Sequence, residues 1–296
     1  MNLPTGRLQD VYFRRRFGAV MGALSVVALM IAALGSGSSS HHTIAKPPIG
    51  QHPSARQLTP AERDALAHKE EEGAINAILA RTPAVVQGGD KGNEVALTFD
   101  DGPGPYTMSL VNTLNRLHVQ ATFFAIGTEE RFFSAGTLLE LRSGDVVGDH
   151  TETHPMMASL SKHDQREELQ NQIYQIQLLG GPTPRLFRPP YGSFNATTFH
   201  ELKRQHLLMI LWSTDTGDYA RPGVQSIEQR ALAGAHPGAI ILMHDAGGDR
   251  SETIAALPSI VHGLRERGLH PVTVPRLLLD DPPPPGQPIP TNLSGG

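Results

Sequence analysis

Residues 95–126 read VALTFDDGPGPYTMSLVNTLNRLHVQATFFAI. The stretch opens on a short apolar run, Val95–Phe99, and breaks at an Asp-Asp-Gly-Pro turn. It continues as a helical pattern over Tyr106–Leu117 and returns to an apolar run at Ala121–Ile126. Short apolar runs bounded by turn residues predict buried strands, and strand–helix–strand predicts parallel pairing through a crossover helix. Val146–Val147, Leu207–Trp212 and Ala239–Met243 predict further strands, and Thr128–Leu141, Asp164–Leu179, Asn195–Gln205 and Glu252–Arg267 predict helices. The region spans about 190 residues, short of the roughly 250 typical of an eight-unit barrel. The expectation is an α/β fold built as a distorted, incomplete (β/α) barrel, with its chemistry at the C-terminal ends of the strands.

Outside this region the chain changes character. Arg14, Arg15 and Arg16 precede Phe17–Leu34, an uncharged run of 18 residues that would span about 27 Å as a helix. Residues 1–34 are therefore read as a cytoplasmic basic flank with a transmembrane anchor or a cleaved signal peptide, the small residues Ala33, Gly35 and Gly37 suiting a peptidase. Either reading places the rest of the chain outside the cytoplasm by the positive-inside rule. Residues 35–60 form a small-residue, proline-rich linker. Residues 61–90 hold a stalk or packing helix, opened by Thr59, Pro60 and Glu62. Residues 91–280 form the catalytic region, and residues 281–296 a proline-rich disordered tail.

Composition narrows the chemistry. Hydrophobic residues at 39% and charged residues at 18% exclude a wholly disordered chain and a multi-pass membrane protein. A net charge of −4 gives no field for nucleic acid, so no nucleic-acid partner is expected. Cysteine is absent, which removes disulfides, thiolate metal sites and cysteine nucleophiles. Any metal must sit on His, Asp or Glu, and 14 histidines make such a site worth seeking.

The predicted strand ends carry the candidates. Asp100 and Asp101 end the first strand; adjacent side chains on an extended chain point to opposite sides, so one can bind a cation while the other stays free as a base. A bare Asp-Asp-Gly is by default a self-capped turn. His150 and His154, in DHTETHP, have the i, i+4 spacing of zinc ligands on a helical turn. One carboxylate and two imidazoles make an open site with room for water, as a catalytic zinc needs. Arg188 stands before a stiff Pro-Pro turn and is suited to orienting a carboxylate. Asp215 and Asp218 follow the Leu207–Trp212 run, and His244 ends Ala239–Met243. Each cluster alone has an ordinary explanation as a salt bridge, turn or loop histidine. Five of them in one α/β region, four at predicted strand ends, do not. The other histidines, such as His68, His118 and His262, fit no ligand pattern and read as surface or packing residues.

TFDDGP, HTETHP, RPPYG, DTGD and ILMHD, in this order between about Glu94 and Pro275, make the chain similar to the polysaccharide deacetylase family (carbohydrate esterase family four, the NodB-homology domain). The resemblance implies metal-dependent removal of acetyl groups from a glycan. It implies Asp101, His150 and His154 as metal ligands, for Zn2+ first, with Co2+ or Ni2+ as alternatives. It implies Asp100 as base, Arg188 as the arginine that holds it, His244 as general acid and Asp218 as the acid that tunes it. Tyr191 corresponds to the residue whose backbone N–H meets the oxyanion, and Leu242 to a lining residue of the acetate pocket. Tyr219 stands where the family usually has Trp, which puts pocket shape and substrate preference in question. The implied partner is an acetylated glycan, peptidoglycan or chitin-type N-acetylglucosamine. An O-acetyl xylan esterase on the same site and a non-catalytic glycan-binding module are the alternatives.

Overall fold

The computed structural model describes residues 58–290. The anchor or signal segment expected at 1–34, and nearly all of the linker, lie outside the described residues. No helix among the described residues is long and apolar enough to cross a membrane.

In chain order the elements are α1 (Pro60–Leu79), β1 (Ala84–Val85), β2 (Glu94–Asp100), α2 (Thr107–Leu117), β3 (Thr122–Ala125), α3 (Gly127–Ser143), β4 (Val146–Asp149), α4 (Lys162–Leu178), β5 (Leu186–Phe187), α5 (Ala196–Gln205), β6 (Leu208–Ile210), β7 (Thr214–Asp215), α6 (Val224–Gly234), β8 (Ile240–His244), α7 (Ser251–Glu266), β9 (His270–Val272) and α8 (Val274–Asp280). Every pairing is parallel, in the order β1-β6-β5-β4-β3-β2-β8-β7, with β9 on the start of β2.

Chain connectivity bends this sheet. Excluding β1, β6 and β7 stand at its two ends, yet only Leu211–Ser213 separate them. Seven flat strands would put those ends about 29 Å apart, whereas the link from Ile210 to Thr214 reaches at most about 14 Å. The sheet therefore curls into a parallel α/β half-barrel. Its short strands, and the lack of a ladder between β6 and β7, leave it incomplete.

The alternation in β2 sorts its residues. Val95, Leu97 and Phe99 face outward onto Leu110, Leu114, Leu257 and Ile260 of α2 and α7. Ala96 faces the interior with Phe124, Leu208, Ile210, Ile240 and Leu242. By the same period Thr98 and Asp100 point inward, so the last residue of β2 presents its carboxylate at the barrel mouth. The opposite end is plugged. Val274 N–H donates to Thr122 Oγ1 (2.9 Å) at the start of β3, which sets α8 beneath the strands. Ile75 and Ile78 of α1 join Val274, Leu277 and Leu278 in the same apolar cluster. Helix α1 starts with the expected N-cap: Thr59 Oγ1 accepts the Glu62 N–H (3.2 Å).

Residues 281–290 depart from the expectation of a disordered tail. Asp281 Oδ2 accepts the N–H groups of Lys91 and Gly92, both at 2.7 Å, and Gln287 Oε1 accepts the N–H of Val86 at 2.7 Å. A proline-rich chain cannot form its own core, but its polar side chains here satisfy backbone donors of the body.

Candidate active site

The strand ends converge on a cleft of about 520 Å³, lined by Asp100, Asp101, His150, His154, Tyr191, Trp212, Tyr219, Leu242 and His244 among others. Leu242 is buried in its wall. Asp100 is 4% exposed. Its Oδ1 accepts from Arg188 Nη1 at 2.8 Å. Arg188 is fully buried inside the barrel. Its other donors reach Thr98 Oγ1 (2.8 Å) and the carbonyls of Ile210 (3.1 Å) and Leu211 (3.2 Å). The guanidinium carbon lies 4.2 Å from the Phe124 ring centroid. Acceptors from β2 and from the β6 end therefore fix the fork, and the buried cation is both paired and hydrogen-bonded, as burial of charge requires.

Asp101 corrects the strand argument. It lies just beyond β2 with φ 73°, a left-handed conformation that L-residues seldom adopt. The alternation of an extended chain does not apply there, and both carboxylates reach the same imidazole: His150 Nε2 is 3.8 Å from Asp100 Oδ2 and 3.6 Å from Asp101 Oδ1. The next residue has to be small. A Cβ at Gly102 would stand 2.2 Å from Asp245 Oδ2.

His150 and His154 do not share a helical turn either. Past β4 the chain turns through left-handed Thr151 (φ 71°) and His154 (φ 62°). Thr151 N–H is held by Asp149 Oδ1 (2.8 Å) and His154 N–H by Thr151 Oγ1 (2.9 Å). The turn brings the two rings to 4.9 Å between centroids. His150 Nδ1 donates to the Arg188 carbonyl (2.7 Å), which turns Nε2 to the cleft. His154 Nε2 lies 3.1 Å from Asp101 Oδ1. One donor atom from each of Asp101, His150 and His154 falls within 4.8 Å of the others, the only such group among the described residues. Two imidazole nitrogens and one carboxylate oxygen suit a divalent transition metal and leave coordination positions open. Burial alone would raise the Asp101 pKa, but the hydrogen bonds from His150 and His154 hold it well below the usual carboxylate value, with His244 adding to them. Asp101 is therefore held as a carboxylate.

His244 ends β8 in register with Asp100 of β2, so the two residues sit about 4.8 Å apart on neighbouring strands. Its Nδ1 is 2.7 Å from Asp218 Oδ1. Asp218 Oδ2 accepts the His244 N–H (2.9 Å) and the Thr253 hydroxyl (2.8 Å). Burial would favour the neutral ring, but Asp218, with Asp101 and Asp100 beyond, raises His244 to about 9. Tyr219 stands edge-on to His244, with ring centroids 5.6 Å apart. Asp215, the other acid of its segment, closes a turn by accepting the Gly217 N–H (2.8 Å) and does not line the cleft.

Three contributors were not singled out by the sequence, although Thr98 opens the TFDDGP motif. Thr253 lies in α7 far from any motif, Thr98 is an ordinary strand residue, and Trp212 reads as core. Asp245 was visible only as the partner of His244 in a dipeptide. It is buried, accepts the Thr107 hydroxyl, and is pushed up to about 7, chiefly by burial.

A model of the polysaccharide deacetylase family matches residues 87–210, which include Asp100, Asp101, His150, His154, Arg188 and Tyr191. The chain is 38% identical over 190 residues to a peptidoglycan-N-acetylglucosamine deacetylase of Bacillus cereus, covering 62% of this chain and 87% of that one. The chain belongs to the polysaccharide deacetylase family. A chitooligosaccharide deacetylase of Bradyrhizobium is 34% identical over 193 residues, covering 60% of this chain and 88% of that one. Among solved structures, a crystal structure of a peptidoglycan N-acetylglucosamine deacetylase superposes with a TM-score of 0.65 at 29% identity, covering 69% of this chain and 96% of the other. The family hydrolyses acyl groups from glycans, so this member is read as a hydrolase. A carboxylate–arginine pair and an imidazole–carboxylate pair flank the three-donor cluster.

Proposed function

We propose that the chain removes acetyl groups from N-acetylglucosamine residues of peptidoglycan or chitin-type glycans, outside the cytoplasm. The observation that carries this reading is the pairing of Asp100 with Arg188 and of His244 with Asp218 on adjacent strand ends, beside a three-donor cluster. A divalent cation on Asp101, His150 and His154, Zn2+ before Co2+ or Ni2+, would supply a Lewis acid for the acetyl carbonyl and lower the pKa of water. Asp100, held by Arg188, takes a proton from the attacking water. Tyr191, which lines the cleft, would offer its backbone N–H to the oxyanion; loss of one such donor typically costs about 3 kcal/mol. His244, kept protonated by Asp218, gives its proton to the departing amine as the C–N bond breaks, which leaves acetate and a free amino sugar. Leu242, Trp212 and Tyr219 supply the apolar wall for the methyl group. The basic flank and apolar run of residues 1–34 support placement at or beyond a membrane.

The test sets acetate release from N-acetylated oligosaccharides beside metal content. Asp101→Asn loses a ligand and is expected to lose metal and activity together, with partial rescue by excess metal. Asp100→Asn is expected to keep its metal and lose roughly 10²–10⁴-fold in rate, without rescue. Loss of metal in Asp100→Asn would reverse the two roles. Acetate release only from O-acetylated xylan would make the chain an esterase, and saturable glycan binding with no turnover under any metal would make it a binding module.

A further inference from the structure

We propose that the phenol of Tyr191 is a positioning group for the cation site, holding the ring of His154 through its Nδ1; this rests on the reading of Asp101, His150 and His154 as a cation site. The two histidines are anchored by different means. His150, 2% exposed, is tied to a main-chain carbonyl inside the barrel. His154 sits on the left-handed loop with its side chain 20% exposed, and its Nδ1 is 3.1 Å from Tyr191 Oη. The Tyr191 ring meets the His154 ring edge-on, with centroids 4.6 Å apart and planes at 66°.

An imidazole that binds a metal through Nε2 carries its hydrogen on Nδ1, so the phenol oxygen is the acceptor in this contact. Such a partner fixes both the tautomer and the rotation of the ring about its χ angles. The backbone supports the same assignment. Tyr191 has φ 58° within the Pro190–Gly192 turn, where a side chain is disfavoured. That turn brings the phenol against the His154 ring. Losing the phenol leaves His154 as a ligand on an exposed loop with a freely turning ring.

Tyr191→Phe removes one oxygen and keeps the ring edge, the left-handed backbone and the N–H. Co2+ serves as the probe, with no substrate present, its binding followed by visible absorption and checked by competition with Zn2+. The parent is expected to bind Co2+, and Tyr191→Phe about tenfold more weakly, with an altered absorption band and an unchanged metal-free melting temperature. Tyr219→Phe, which removes a comparably exposed phenol that touches no ligand, is expected to bind as the parent does. Affinity of Tyr191→Phe within twofold of the parent, or an equal loss in Tyr219→Phe, overturns the proposal. No Co2+ binding by the parent overturns the cation site itself. A parent that binds Co2+ but releases no acetate overturns the proposed activity alone.

Discussion

His244 can act as an acid only over the pH range in which Asp218 keeps it charged. Burial works against the imidazolium. The Asp218 carboxylate at 2.7 Å is the leading opposing influence, and Asp101 and Asp100 add to it, lifting the ring to about 9. A group raised in this way is protonated below its pKa and delivers its proton less often as pH rises through it. Turnover is therefore expected to fall on the alkaline side. Asp218→Asn removes the charge and one of the two acceptor oxygens, since its amide nitrogen cannot accept the His244 N–H that Oδ2 receives, so burial takes over and the alkaline limb moves to lower pH. A pH–rate profile at saturating substrate reads this directly. An unmoved limb would assign it to a group other than His244. Thr253 matters at the same scale, because its hydroxyl occupies the Asp218 oxygen that also receives the His244 N–H.

Among the elements, α1 decides what counts as the catalytic body. Its sequence allows a stalk as readily as a packing helix: Leu66, Ile75, Ile78 and Leu79 form an apolar side, with Glu70, Glu71 and Glu72 on the wet one. Ile75 and Ile78, 2% and 1% exposed, pack with Leu277 and Leu278 of α8 beneath the strands. Ile78→Ala leaves a cavity in that plug and is expected to cost about 2–5 kcal/mol, read as a lower denaturation midpoint with the slope unchanged. A loss below about 0.5 kcal/mol would mean that α1 is an appendage. Helices α6 and α8 and the strands β1, β5, β7 and β9 escaped the sequence pattern for related reasons. The strands are only two or three residues long. Helix α6 buries only Ile227 and Ala231, one turn apart, and α8 is an apolar run too short to distinguish helix from strand by period.

Taken whole, the molecule stores protons. Burial raises Glu130 to about 8 and Asp145 and Asp245 to about 7, and it also raises Glu140 and Asp149. These carboxyls are held neutral in the folded state and would ionise near pH 4 in the unfolded chain. Their contribution to stability is therefore complete below about pH 4 and is lost as pH rises through about 7 to 8. Asp101 and Asp218, whose pKa values lie below the usual carboxylate value, act in the opposite sense and are lost only in acid. The melting temperature is expected to fall from pH 6 to pH 9. Glu130→Gln, a near-isosteric neutral replacement, is expected to flatten that fall and to exceed the parent above pH 8. Parallel curves for the two proteins would show that Glu130 is already ionised in the fold.

The strand–helix alternation and the cluster of polar residues at the strand ends were readable from the chain. Hydrophobic period and turn chemistry act over a few residues, so they leave a local trace. The curl of the sheet was not readable, because it follows from joining β6 to β7 across strands distant in sequence. The left-handed turns at Asp101, Thr151 and His154 were equally hidden, since non-glycine residues rarely adopt them and local propensity argues against them. Only those turns bring both aspartates and both histidines to one point. The contacts of Arg188 with Asp100, Thr253 with Asp218 and Tyr191 with His154 join residues 88, 35 and 37 positions apart. Such partners depend on register and closure, which the tertiary structure alone decides.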